Sequence, residues 1–233
     1  MPPTKIEEVR ESVTTLEDEI RSLSELDEIT VRDGAVRIGA LARQRAVESS
    51  AELYRACPLL REAARLIAHP AIRSRGTVGG SVAHADPRAE LPVALLALDA
   101  RLHCRTAAAN RSIGAADFLR GPFITALEPG ELLCWVEIPA VPAGARMAFV
   151  ERAATHGAFA QAGAAVVLAG RVHAAIALLG AGPGPVRARA AERAWLEGAG
   201  PDEVALLAGA VASEGHRGAL LTALTRRALE ASR

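Results

Sequence analysis

Residues Arg73 to Pro87 read RSRGTVGGSVAHADP, with Gly76, Gly79 and Gly80 inside five residues and a run of small residues ending in Asp-Pro. The stretch lies between two apolar segments. Upstream, Pro58 fits the first turn of a helix whose apolar face is Leu59, Ala63, Leu66 and Ile67. His69-Pro70 ends that helix, because a residue before proline is pushed out of the α region. Downstream, ELPVALLALDA (Glu90 to Ala100) is almost wholly apolar and reads as a buried helix. A side-chain-poor bend between two such helices is either a tight structural turn or a cradle of backbone N–H groups that an anion can approach closely. The spacing is neither GxGxxG nor GxxxxGKS/T, so it carries no Rossmann or P-loop signature, and both readings of the bend stand on local pattern.

The remaining chain reads as mixed α and β. Residues 5–22 are strongly charged, with Ile6, Val9, Val13, Leu16 and Ile20 at helical spacing, and predict an amphipathic helix on the surface or against a partner. Ile29 and Val31 alternate into Asp33-Gly34, and Val36 and Ile38 lead out of it, which is a hairpin signal. Strands are expected at 101–104 and 111–113 around a turn at Asn110, with Asp117 as an N-cap, and at 131–138 up to Pro139. VPAGA (141–145) is the best internal boundary. After it come three strands (147–150, 164–168 and 172–179), a Gly/Pro punctuator at 180–185, and helices near 186–197, 201–212 and 216–231. This predicts an α+β chain in three parts: an atypical charged N-terminal helix (1–24), a domain over 25–142, and a C-terminal domain over 143–233 with a three-stranded antiparallel sheet and a helical bundle.

Composition narrows the function classes. Lys+Arg and Asp+Glu are 27 each among 233 residues, which gives no electrostatic case for nucleic acid or an anionic membrane surface. Aromatic residues are 3%, so a nucleotide or flavin has few rings to stack on and needs backbone and aliphatic groups instead. Cys57, Cys104 and Cys134 are far apart, with no spacing suited to an iron–sulfur or zinc site, and are expected to be reduced thiols of a cytoplasmic protein. No metal site, signal peptide or membrane span is expected. No Ser/His/Asp or Cys/His set points to a protein nucleophile or base.

The block IRSRGTVGGSVAHADPRAELPVALLALDA resembles the signature of the FAD-binding medium subunit of molybdenum hydroxylases. These are relatives of carbon monoxide dehydrogenase and xanthine dehydrogenase, with the vanillyl-alcohol-oxidase-type (PCMH-type) flavin fold. DGAVRIGALA, CPLLREAARLIAHPAIR, IGAADFL, TALEPGELLCWVEIP, GPVRARAAERAWLEG and HRGALLTALTRRAL resemble the family in the same order, over about 25–233. The resemblance implies an FAD pyrophosphate held at Gly76, Thr77, Val78, Gly79, Gly80 and Ser81. Ala83 and His84 would lie near the flavin end, Asp86 and Glu90 toward the adenosine half, and Leu133 packed near the flavin. Structural roles compete at three of these: core packing for Leu133, a solvated loop for His84, and a turn cap for Asp86. Gly79→Val is expected to abolish flavin retention while leaving the chain folded.

The implied partners are a molybdopterin-binding large subunit and a small subunit with 2Fe-2S clusters, in a heterotrimer or a dimer of heterotrimers. Electrons would run from the clusters through FAD to an acceptor. The chain departs from the family at Ser81, where Asn is usual, at Glu90, where Asp is usual, and at Ala154-Thr155, where basic residues often occur and Arg152 is the nearest cation. A first Gly-rich loop of the LAGG type is expected but not found, since the earliest glycine is Gly34. Hydrogen bonds to an anion contribute roughly 1.5–3 kcal/mol each, so losing half of such a clamp would weaken binding. A flavin-poor assembly subunit with the same fold is therefore the alternative.

Overall fold

The computed structural model describes residues 23–212 and 215–232. The amphipathic segment expected at 5–22 lies outside the described residues. The hairpin forms as predicted: β1 (Ile29–Arg32) pairs antiparallel with β2 (Ala35–Gly39). Asp33 and Gly34 both have positive φ, 51° and 78°, as the two central residues of a type I′ turn require. The helices α1 (Gln44–Ser49), α2 (Ala51–Ala56), α3 (Pro58–Leu66) and α4 (Pro70–Arg73) follow. Pro58 and Pro70 each occupy a first turn, where the missing N–H costs nothing.

The glycine-rich stretch is not a loop. It forms helix α5 (Val78–His84), against the prediction of a bend, because Thr77 caps it and tertiary packing outweighs the poor helix propensity of two glycines. Then come α6 (Glu90–Ala97), β3 (Arg101–Arg105), β4 (Asn110–Gly114), α7 (Ala115–Phe118), the small hairpin β5 (Leu119–Gly121) and β6 (Ile124–Thr125), and β7 (Leu132–Ile138). Asn110 opens β4 rather than forming the turn, and Gly114, not Asp117, caps α7. The C-terminal part has β8 (Arg146–Ala153), β9 (Ala160–Ala169), β10 (His173–Leu179), β11 (Val186–Arg187), α8 (Arg189–Leu196), α9 (Pro201–Gly209) and α10 (Gly215–Ala231).

Two antiparallel sheets organise these elements. The first has the order β1-β2-β7-β3-β4. Ile38, Val136, Leu102 and Ile113 stand opposite one another across it and make its inner row. α5 packs on β2 and β7 of this sheet. The second sheet has the order β11-β10-β9-β8; short β11 adds a fourth strand to the three expected.

Period-two alternation sends β9 and β10 residues into two different cores. Ala165, Val167, Ala175, Ala177 and Leu179 join the core shared with α3 and α6. Val166, Leu168, Ile176 and Leu178 join the core under α8, α9 and α10. Every residue of α6 is buried, as its sequence predicted. Two carboxylates, Glu62 half-buried and Glu192 buried, stitch the layers together. Glu62 on α3 accepts the Phe149 N–H of β8 at 2.9 Å. Glu192 on α8 accepts the Ile176 N–H at 2.9 Å, while Arg187 reaches back to the Leu96 carbonyl and the Asp99 carboxylate.

Candidate functional site

An open cleft of about 400 Å³ lies beside the N-terminal turn of α5. Gly76, Thr77, Gly80 and Ser81 form one wall; Arg43, Gln44 and Arg75, with Asp27 and Leu41, complete the lining. A single antiparallel bridge joins Arg43 to Thr77 and creates the cleft, with the Gln44 N–H donating to the Gly76 carbonyl at 2.9 Å and the Val78 N–H to Ala42 at 2.9 Å. Arg43 also donates through its guanidinium to the Arg75 carbonyl. Beneath this wall Arg73 is buried, donating to Glu48 at 2.9 Å and to the Ile67 carbonyl at 2.7 Å, which fixes the approach to Gly76.

The expected cluster of bare amides is only partly available. The Val78 and Gly79 N–H groups point inward and donate to the Ala42 and Ala40 carbonyls, the latter at 2.8 Å. The Gly80 N–H donates to Thr77 Oγ1 at 3.0 Å. The outward chemistry therefore comes from side chains: the Thr77 and Ser81 hydroxyls and the guanidinium groups of Arg43 and Arg75. A hydroxyl that accepts a capping bond still has its own proton to donate.

The two glycines at the start of α5 have different reasons to lack a side chain. A Cβ on Gly79 would meet the Ala40 Cα and O at 2.8 Å, a backbone collision. A Cβ on Gly80, which is exposed, would meet only Thr77 Oγ1, at 2.7 Å. Gly76 packs against the Gln44 side chain. The Gln44 amide oxygen is buried against Gly76 with no hydrogen-bond partner among the described residues.

The other expected site residues spread out from α5. Ala83 is half-buried and His84 exposed near its C-terminal end. Asp86 is buried and committed locally: its Oδ1 accepts the Arg88 N–H at 2.9 Å and its carboxylate pairs with the Arg88 guanidinium, so it caps the turn. Glu90 begins α6 and is buried. Desolvation pushes its carboxyl up to about 7, with a smaller contribution from the Asp86 charge. Leu133 packs in the core from β7.

Glu151 on β8 was not anticipated, and no local pattern marks it. Burial, with the Glu90 charge behind it, pushes its carboxyl up to about 8, and its Oε2 is buried without a partner among the described residues. Arg43, Gln44 and Arg75 were also missed. The first two come from a segment far from the glycine stretch, and only the bridge at Thr77 brings them to it. Cys57, Cys104 and Cys134 are free and buried, and burial pushes the Cys57 thiol up to about 12. Among the described residues, no His/Cys/Asp/Glu group could hold a metal ion, and no helix is long and apolar enough to cross a membrane.

The chain is similar to known proteins over most of its length. A family described as the FAD binding domain in molybdopterin dehydrogenase matches residues 8–141. The 6-hydroxypseudooxynicotine dehydrogenase complex subunit alpha of Paenarthrobacter nicotinovorans is 39% identical over 184 residues, 77% of this chain and 62% of that protein. The chain thus spans less than two thirds of the length of the curated relatives it matches. Among solved structures, carbon monoxide dehydrogenase from Hydrogenophaga pseudoflava superposes with a TM-score of 0.83 at 33% identity, over 90% of this chain and 78% of the other. Quinoline 2-oxidoreductase from Pseudomonas putida 86 superposes with a TM-score of 0.82 at 34% identity, over 91% and 80%.

Proposed function

Because this chain belongs to the family of FAD-binding domains of molybdopterin dehydrogenases, we propose that it is the flavin-holding part of an oxidoreductase of the molybdenum hydroxylase type. The observation that carries this reading is the cleft at α5: two residues with hydroxyls, two arginines and an exposed glycine line one space. That donor set fits a pyrophosphate. Thr77 and Ser81 would donate hydrogen bonds to it, Arg43 and Arg75 would balance its charge, and Gly80 would let it approach the helix. The cap makes Thr77 rigid, so no ordering cost falls on that contact.

Gly76, Val78 and Gly79 would act beneath the ligand, seating the wall rather than touching the phosphates. Glu90, and with it Glu151, would receive ribose hydroxyls of the adenosine half. Asp86 would hold the corner that delivers Glu90, Ala83 and His84 would lie toward the flavin end, and Leu133 would support the site from the core. When bound, FAD supplies the redox chemistry, and the protein supplies position and electrostatics. In an assembly with a molybdopterin-binding subunit and a 2Fe-2S subunit, this chain would hold the flavin between the iron–sulfur clusters and an external acceptor.

The amides of Val78, Gly79 and Gly80, already spent inside the protein, favour one second reading: a subunit that keeps the fold and docking surfaces but grips flavin weakly. An ultraviolet–visible spectrum of the purified chain, with and without added FAD, separates the two. A flavin absorbance that survives gel filtration supports the first reading. Colourless protein that regains no FAD yet still binds its partner subunits supports the second.

A further inference from the structure

One outward face of α5 runs through Thr77, Gly80, Ser81 and His84, spaced three and four residues apart as neighbours on a helix surface must be. Val78, Gly79 and Val82 point the other way and are buried. The outward face starts in the cleft of hydroxyls and guanidinium groups and runs about 10 Å to the end of the helix. There it meets an aromatic residue that the sequence did not single out.

Phe123 sits between β5 and β6, its ring 5.1 Å from the His84 ring. Its φ is 57°, a left-handed conformation that is costly for a bulky residue. The strain is pinned in place: the Phe123 N–H donates to the Ala85 carbonyl at 2.9 Å, and Ala85, the C-cap of α5, is itself left-handed with φ 50°. The ring gains little burial in return, being 56% exposed, and Ile124 beside it is 57% exposed. The tight turn between Gly121 and Ile124 accounts for a left-handed residue at this place, which glycine or asparagine fills at less cost; an open aromatic ring there, at the end of a polar track, serves a binding surface rather than the turn.

We infer that Phe123 is a positioning residue for the ring end of the cofactor, so that the outward face of α5 is a track with phosphate chemistry at Thr77 and an aromatic stop at Phe123. The inference rests on the FAD reading. The track's length suits a ribityl chain, and its change from charged to aromatic matches the change along the riboflavin half of FAD.

The test uses the full chain and two ligands, FAD and ADP, titrated calorimetrically, since ADP carries the pyrophosphate without the flavin ring. In Phe123→Gly, which fits the left-handed backbone better, the melting temperature should hold or rise. FAD should bind about fivefold or more weakly, the order expected for one lost aromatic contact, and ADP should bind as before. Phe123→Tyr should restore FAD affinity, and Phe123→Leu should not. If Phe123→Gly binds FAD as tightly as the parent, or loses FAD and ADP equally, the role assigned to Phe123 is overturned while the FAD reading stands. If the parent chain binds neither ligand, the FAD reading itself fails and this inference falls with it.

Discussion

The inward and outward sides of α5 are built by opposite rules. Inward, Gly79 presses its backbone against Ala40, and the Val78 and Gly79 amides are bonded to carbonyls of the segment after β2. Outward, Gly80 and the hydroxyls of Thr77 and Ser81 open into a cleft between two arginines. Adjacent glycines therefore serve different ends, one excluding atoms for the sake of packing and the other for the sake of access. A motif that reads as one unit in sequence is two half-motifs in the fold.

The strongest way to break this distinction is Gly79→Val. Expected from the sequence to spare the fold, it should instead destabilise the chain by about 3 kcal/mol or more, because the added carbons fall on backbone that cannot step aside. Thermal denaturation by circular dichroism measures this, and a melting temperature within a degree or two of the parent's would show the inward contact to be soft. Thr77→Val comes next. Loss of the cap should cost about 1 kcal/mol of stability, and loss of an anion contact should weaken FAD binding about tenfold. Equal FAD affinity in the two proteins would remove Thr77 from the outward side.

The smallest effect concerns pH. The carboxyls of Glu90 and Glu151 are held above their ordinary values, mainly by burial, to about 7 and about 8. The folded state therefore keeps their protons where the unfolded chain has released them. Their contribution is complete below the ordinary carboxylate range and is lost as pH rises toward 8. The melting temperature should fall over that interval, and Glu151→Gln should flatten the slope. An unchanged slope in the variant would mean that Glu151 is charged throughout.

Legibility followed the range of the forces involved. The hairpin at Asp33-Gly34 and the buried helix α6 were readable because a turn dipeptide and an unbroken apolar run act within a few residues. The Asp86 cap was readable as one of two options for the same reason. α5 was misread as a bend because glycine propensity is a local quantity, while the contacts that make the stretch helical, Thr77 apart, come from Ala40 and Ala42. The far wall of the cleft was invisible: Arg43 reaches Arg75 across 32 residues, and nothing in either segment announces the other. Phe123 escaped notice because its conformation, not its identity, makes it unusual.

The strand β9 ties the whole molecule together. Its alternate side chains belong to two interiors at once, so neither interior can be dismantled without stripping the other. Calorimetry should accordingly record a single cooperative melting event, and limited digestion should release no durable C-terminal fragment. A flavin carrier that comes apart only all at once keeps its seat at α5 registered against the C-terminal helices until the entire protein is lost.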